Sequence, residues 1–244
     1  MIFSKNIKMA DVILNNHHLL SVISRFNMKL GFGEKSIGEV CKDYGVNVDF
    51  FLEIVNTFNE ADYLPENHLS SFPLSLIISY LKTTHEYYLQ RKIPEIAEMI
   101  GRLLNESKQP PERELLLIKR FFDEYRDNLS AHIQREENTV YPYILKLEKY
   151  YKNPGSLSDE EIRLLKDYAI ARYADEHDDI QDSLYDLKSL IIKYLPPQQN
   201  TVLCYKILGQ LGHLEKDIND HSNMENRVLI PRVEMMEKIF KQEK

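Results

Sequence analysis

Tryptophan is absent, glycine is scarce (8 of 244 residues), and no stretch alternates apolar and polar residues between glycine-rich turns. A sheet-based fold is therefore not expected. Leu, Ile, Glu and Lys dominate instead, a helix-forming palette. Only two cysteines occur, Cys41 and Cys204, far apart and in no metal-binding spacing. Such low usage fits a reducing cytosol, with both thiols expected to be buried. No apolar run approaches the roughly 20 residues of a membrane-spanning helix. The opening MIFSKNIKMADVILNN also lacks the continuous apolar core of a signal peptide. A soluble, cytoplasmic protein without a membrane partner is expected. No Lys/Arg cluster stands out, and the net charge of −7 repels phosphates on average, so no nucleic-acid partner is expected either. A Gly-x-Ser-x-Gly motif is missing and neither cysteine lies near a plausible base, which argues against acyl-transfer or hydrolytic chemistry.

What is present is a core-forming chain, 43% hydrophobic, with helical periodicity. A break falls at Glu60–Pro73, EADYLPENHLSSFP, which carries two prolines between periodic segments. It divides the chain into a small helical N-terminal domain over 1–64, with two or three short helices, and a longer unit over 65–244. In that unit the spacing predicts a helix over about Pro73–Gln90, a short one from Pro94, and long ones over about Pro111–Tyr150, Ser158–Tyr194 and Asn200–Phe240. Ser158 and Glu161 form a capping-box pattern, and the Pro-Pro pair after Leu195 stops the third long helix. The expected fold is all-α, an antiparallel four-helix bundle behind a small leading domain.

Each of the four helices carries one histidine on its apolar stripe. His85 follows Ile78 and Leu81, His132 follows Tyr125 and Leu129, His177 follows Ile170 and Tyr173, and His221 follows Leu214 and Ile218. Two of these histidines recur in matched segments, AHIQREENTVYP and DHSNMENRVLIP, which keep His, Glu and Pro at identical offsets: His132, Glu136, Pro142 and His221, Glu225, Pro231. A glutamate four residues after a histidine lies over it on the same helix face, so Glu136 and Glu225 also face the core. A buried carboxylate without a cation costs several kcal/mol or more. Arg135 and Arg227 are expected to point elsewhere, which leaves a metal cation as the partner. The prolines are expected only to bend or end their helices.

Four imidazoles and two carboxylates without thiolate do not suit structural zinc, and the nitrogens do not suit Mg²⁺ or Ca²⁺. The set fits a non-haem di-iron centre, two iron ions bridged by carboxylates from two helices with positions open to water or a small diatomic. Ligand type alone leaves zinc or manganese open.

In order, THEYYLQRKIPEI, HIQREENTVYP, DEHDDI and DHSNMENRVLIP resemble the hemerythrin-like HHE cation-binding family, and more narrowly the Repair of Iron Centres proteins. The resemblance implies His85, His132, His177 and His221 as metal ligands, with Glu136 and Glu225 as bridges. It further implies repair of iron–sulfur clusters after nitrosative or oxidative damage. The partners it implies are O₂, NO or peroxide and damaged iron–sulfur proteins, with a homodimer left open. A module that binds or senses O₂ or NO without turnover, and a bundle with a structural metal, are the alternatives, so enzymatic turnover is undecided.

RFNMKLGFGEKSIGEVCKDYGVN resembles the family's leading domain, but Gly31 and Phe32 stand where relatives often carry adjacent cysteines. Thiol chemistry at that turn is not expected. GFGEKS is not a phosphate loop, because Glu34 precedes Lys35. Asn105 is taken to stand where relatives often place a further histidine. His213 lies two turns before His221, about 12 Å along the axis, too far to share its ligands. His17, His18 and His68 are expected in solvent. Tyr88, Tyr125 and Tyr141 lie near the ligand turns, and among 15 tyrosines ordinary core packing is expected of them.

Overall fold

The computed structural model describes residues 2–60, 63, 69, 71–107, 112–167, 170, 173, 179–195 and 200–242. Four short helices lead: α1 (Met9–Asn15), α2 (Leu19–Arg25), α3 (Ile37–Asp43) and α4 (Val48–Asn59). Ser36 and Glu39 close a reciprocal capping box on α3. Buried Asn56 on α4 binds both the N–H and the carbonyl of Phe3, at 2.7 and 3.1 Å, tying the start of the chain down.

Three long rods follow, each interrupted by one wide turn. Leu74–Tyr87, Tyr88–Lys92 and Ile93–Glu106 run on as α5. Arg113–Arg135, Glu136–Val140 and Tyr141–Lys152 form α6, while Thr201–Met224, Glu225–Leu229 and Ile230–Gln242 form α9. Between them lie α7 (Asp159–Asp167), which opens on the expected Ser158–Glu161 capping pair, and α8 (Asp179–Tyr194). The third helix is thus not continuous from Ser158 to Tyr194, because Ile170 stands in a turn and gives its N–H to Glu237 at 2.8 Å. The segment from Pro94 is likewise not a separate helix but the second half of α5.

The middle segment of each rod is a π turn. In each, the residue before a proline donates its N–H five residues back: Ile93 to Tyr88, Tyr141 to Glu136 and Ile230 to Glu225. The proline itself has no N–H, and its ring would collide with the carbonyl four residues back. One extra residue in the turn relieves both problems. The expectation that Pro142 and Pro231 merely bend or end helices is therefore corrected: the rods pass through them, and Pro94 marks a third copy in which Tyr88 holds the register of Glu136 and Glu225.

α5 packs on α6, α6 on α8, α8 on α9 and α9 on α5, while α2 lies against α5. The apolar core falls into two clusters. One joins the leading helices to Leu81, Val140, Tyr141, Met224 and Val228; the other holds Tyr88, Leu129, Ile133 and Ile218. The polar layer described next lies between them. Among the described residues, no helix is long and apolar enough to cross a membrane.

Candidate metal centre

His85, Glu136 and His221 each offer a ligand atom within 4.8 Å of the others, and all three are buried. The Nε2 atom of His85 lies 3.0 Å from Glu136 Oε2 and 3.3 Å from His221 Nε2. His132 Nε2 is 2.8 Å from Glu136 Oε1, and His221 Nε2 is 3.5 Å from Glu225 Oε2. Five of the six expected ligands thus converge from α5, α6 and α9. The sixth, His177, lies outside the described residues, as does His68.

The wide turns explain part of this convergence. In an α-helix a residue five positions on lies about 140° round the axis. The π turn takes up part of that angle, so Tyr141 joins Glu136 on the inward face. Tyr141 is fully buried, donates to Glu225 Oε1 at 2.7 Å and stands 3.5 Å from His85 Nε2. Core packing alone does not describe it. Tyr173 donates a second, shorter hydrogen bond to Glu136. Each central carboxylate therefore receives one tyrosine hydroxyl. Burial, then the Glu225 and Glu136 charges, push the Tyr141 phenol well above its ordinary range, so it stays a donor.

Burial and the Glu225 charge disfavour an ionised Glu136, but hydrogen bonds from His132 and His85 prevail and hold its pKa below the usual value. His85 shows the mirror effect: burial opposes its charge, yet Glu136, Glu225 and Glu137 raise its pKa. Glu137 Oε1 lies 2.9 Å from His85 Nδ1, the outer-carboxylate arrangement that fixes the tautomer of a ligating histidine. Sequence reasoning missed Glu137 and Tyr173. Arg135, expected to point elsewhere, reaches to 3.5 Å from His132 Nδ1.

This donor set fits a cation. Two imidazole Nε2 atoms facing each other at 3.3 Å need a proton or a metal between their lone pairs. Two fully buried carboxylates demand positive charge beside them. In comparison against known proteins, residues 77–233, the stretch that carries both His–Glu pairs, match the hemerythrin HHE cation binding domain.

The chain belongs to the hemerythrin HHE cation-binding family. Its similarity extends to proteins named iron-sulfur cluster repair protein. It is 20% identical over 197 residues to ScdA of Staphylococcus haemolyticus, covering 81% of this chain and 83% of that protein. ScdA of Staphylococcus epidermidis is 21% identical over 204 residues, 82% of this chain and 85% of the relative. YtfE of Escherichia coli O139:H28 is 22% identical over 170 residues, covering 68% and 69%.

Within this HHE chain several residues take no part in the site. Asn105 is exposed in the last turn of α5, about 30 Å along the rod from His85, so no histidine there could reach the ligands. His17 and His18 are exposed as expected. His213 is exposed too and meets His18 edge-on with ring centroids 4.6 Å apart. Tyr125 is buried above the site with a hydroxyl that has no hydrogen-bond partner. Cys41 and Cys204 are both buried and free, and burial pushes the Cys41 thiol up to about 11. Gly31 adopts φ +104°, a conformation that side-chain-bearing residues rarely take. The turn is shaped for glycine at this position, and Phe32 next to it is buried in the core.

Proposed function

We propose that this chain holds two iron ions between α5, α6, α8 and α9, with His85, His132, His177 and His221 as nitrogen ligands and Glu136 and Glu225 as bridges, and that it serves the repair of iron–sulfur clusters during nitrosative or oxidative stress in the cytoplasm. The supporting observation is the convergence of the two matched His–Glu pairs on His85. The names of the relatives supply the substrate class, damaged iron–sulfur proteins.

Bound iron would supply redox and ligand-exchange chemistry. The chain's own groups do the rest. Glu136 and Glu225 bring the negative charge that favours the ferric state, and Tyr141 and Tyr173 each hold one of these carboxylates in a fixed orientation. Glu137 fixes the His85 ring. With no cysteine in the leading turn and Cys41 buried as a thiol, the contribution to repair is supply of iron or removal of the damaging agent, not thiol exchange.

A second reading, uptake of NO or O₂ without turnover, has its own support. A cavity of about 20 Å³ adjoins His85, His132, Glu136 and His221 and is otherwise walled largely by Leu129, Ile133, Ile180 and Ile218. It has room for about one water-sized guest, and its apolar wall suits a neutral diatomic.

The deciding experiment incubates iron-loaded protein with an apo iron–sulfur protein and, separately, with NO and with hydrogen peroxide. Cluster recovery, or consumption of NO or peroxide beyond one equivalent per site, supports repair. Reversible spectral changes without consumption or transfer support the binding module instead.

A further inference from the structure

We propose that Arg25 of the leading unit is a positioning residue for the metal centre, acting through Asp217 and Tyr88 to set the orientation of His221. This rests on the reading of His221 as a metal ligand.

Arg25 ends α2 and is 4% exposed, although among the described residues of its own unit no carboxylate pairs with it. Its hydrogen-bond and ion-pair partners lie on the rods, while the Phe58 ring of α4 lies 5.6 Å from the guanidinium. The guanidinium pairs with Asp217 of α9 and donates to the Tyr80 hydroxyl of α5 at 3.3 Å. It also lies over the rings of Tyr87 and Tyr88, 4.9 and 5.6 Å from their centroids. A buried guanidinium meets aromatic faces and a carboxylate favourably.

One arm of this clamp touches His221 and the other stands one turn from it. Asp217 sits one turn before His221 on the same helix face. Tyr88 packs edge-on against the His221 ring, centroids 6.0 Å apart, and lines the small cavity with His85, His132, Glu136 and His221.

Four buried polar atoms along the path from Arg25 to His221 have no hydrogen-bond partner: Arg25 Nε, the Tyr88 hydroxyl, Asp217 Oδ1 and His221 Nδ1. His85 engages Glu137 through Nδ1, whereas His221 Nδ1 has no such carboxylate. Asp217 Oδ1 makes no hydrogen bond to His221 Nδ1, but Asp217 stands one turn back on the same helix with its other oxygen held by Arg25, so a rotation of the two side chains would let it serve His221 as Glu137 serves His85. A ligating histidine generally donates its outer N–H to such a group, and loss of that group typically weakens metal binding 10- to 100-fold.

The test compares wild type with the Arg25→Met/Asp217→Leu double variant, which removes both buried charges together. Each protein is loaded with Fe²⁺ or with Co²⁺ as an optical probe, and cooperative thermal unfolding confirms folding. The expected result is a folded double variant that releases iron to a chelator at least tenfold faster, with shifted Co²⁺ absorption bands. A folded variant with wild-type bands and release rate overturns the proposal and leaves Arg25 as a docking clamp. If the double variant does not fold, Asp217→Asn decides: release several-fold faster supports the role, and unchanged release overturns it. Wild-type protein that takes up neither metal contradicts the metal reading itself, a different outcome from equality of variant and wild type.

Discussion

The hydroxyl of Tyr141, on α6, donates a 2.7 Å hydrogen bond to Glu225, on α9, so one central carboxylate is held by the rod that supplies the other. Tyr141→Phe removes the donor and leaves a buried carboxylate oxygen short of a partner. Metal-free stability should fall by about 1.5–3 kcal/mol, the range for hydrogen bonds to charged groups. Urea unfolding of the chelated protein measures it. A change within error would show that the bond contributes nothing.

The wide turn at Glu136–Val140 contains one residue more than an α-turn needs. Deleting Asn138, which is exposed within it, should let the rod close into regular α-helix. Far-UV circular dichroism should remain strongly helical while bound iron drops. Undiminished iron would mean that the widened turn does not help set the site.

Glu148, on α6, accepts the N–H groups of Leu74 at 2.8 Å and Ser75 at 3.2 Å, capping α5 where Pro73 offers no capping side chain. Burial opposes its charge, but Lys152, Ser75 and Leu74 together hold the carboxyl below its ordinary value of 4.5. A depressed folded pKa means stability that is present above the unfolded value and lost as pH falls through the folded one. Glu148→Gln should cost about 0.5–2 kcal/mol near neutrality, as for loss of a helix cap. The gap from wild type should stay flat down to the ordinary carboxyl value and narrow only below it. A gap that widens on acidification would contradict the assignment.

Cys41 is buried, with its thiol raised to about 11, and Cys204 is buried as well. Iodoacetamide at pH 7.5 should label native protein far more slowly than urea-unfolded protein at either site, read by mass spectrometry. Rapid labelling of Cys41 in the native state would reopen thiol chemistry in the leading unit.

The inward placement of His85, His132 and His221 is legible because imidazoles at helical spacing on apolar stripes leave a periodic trace, and the His-x₃-Glu pairs put Glu136 and Glu225 on the same faces. The wide turns were harder to read, since a proline within a helical pattern ordinarily marks a stop. Pro94 accordingly reads as a new start, although its offset from Tyr88 equals those of Pro142 from Glu136 and Pro231 from Glu225. That shared offset was the available signal. Glu137 was not visible, because a residue adjacent to an inward one ordinarily points about 100° away. Tyr173 was read as part of an apolar stripe, and its bond to Glu136 depends on a contact between rods that local spacing does not encode. Asn105 is a candidate only through the family resemblance, and α5, running on through Pro94, carries it far along the rod from His85.

Iron per chain, measured after loading wild type, His132→Ala and Glu225→Ala under identical conditions, tests the central claim most directly. Wild type should carry about two ions, and each variant one or none, with all three proteins folded. Equal stoichiometry in the three proteins would contradict a centre built from these side chains.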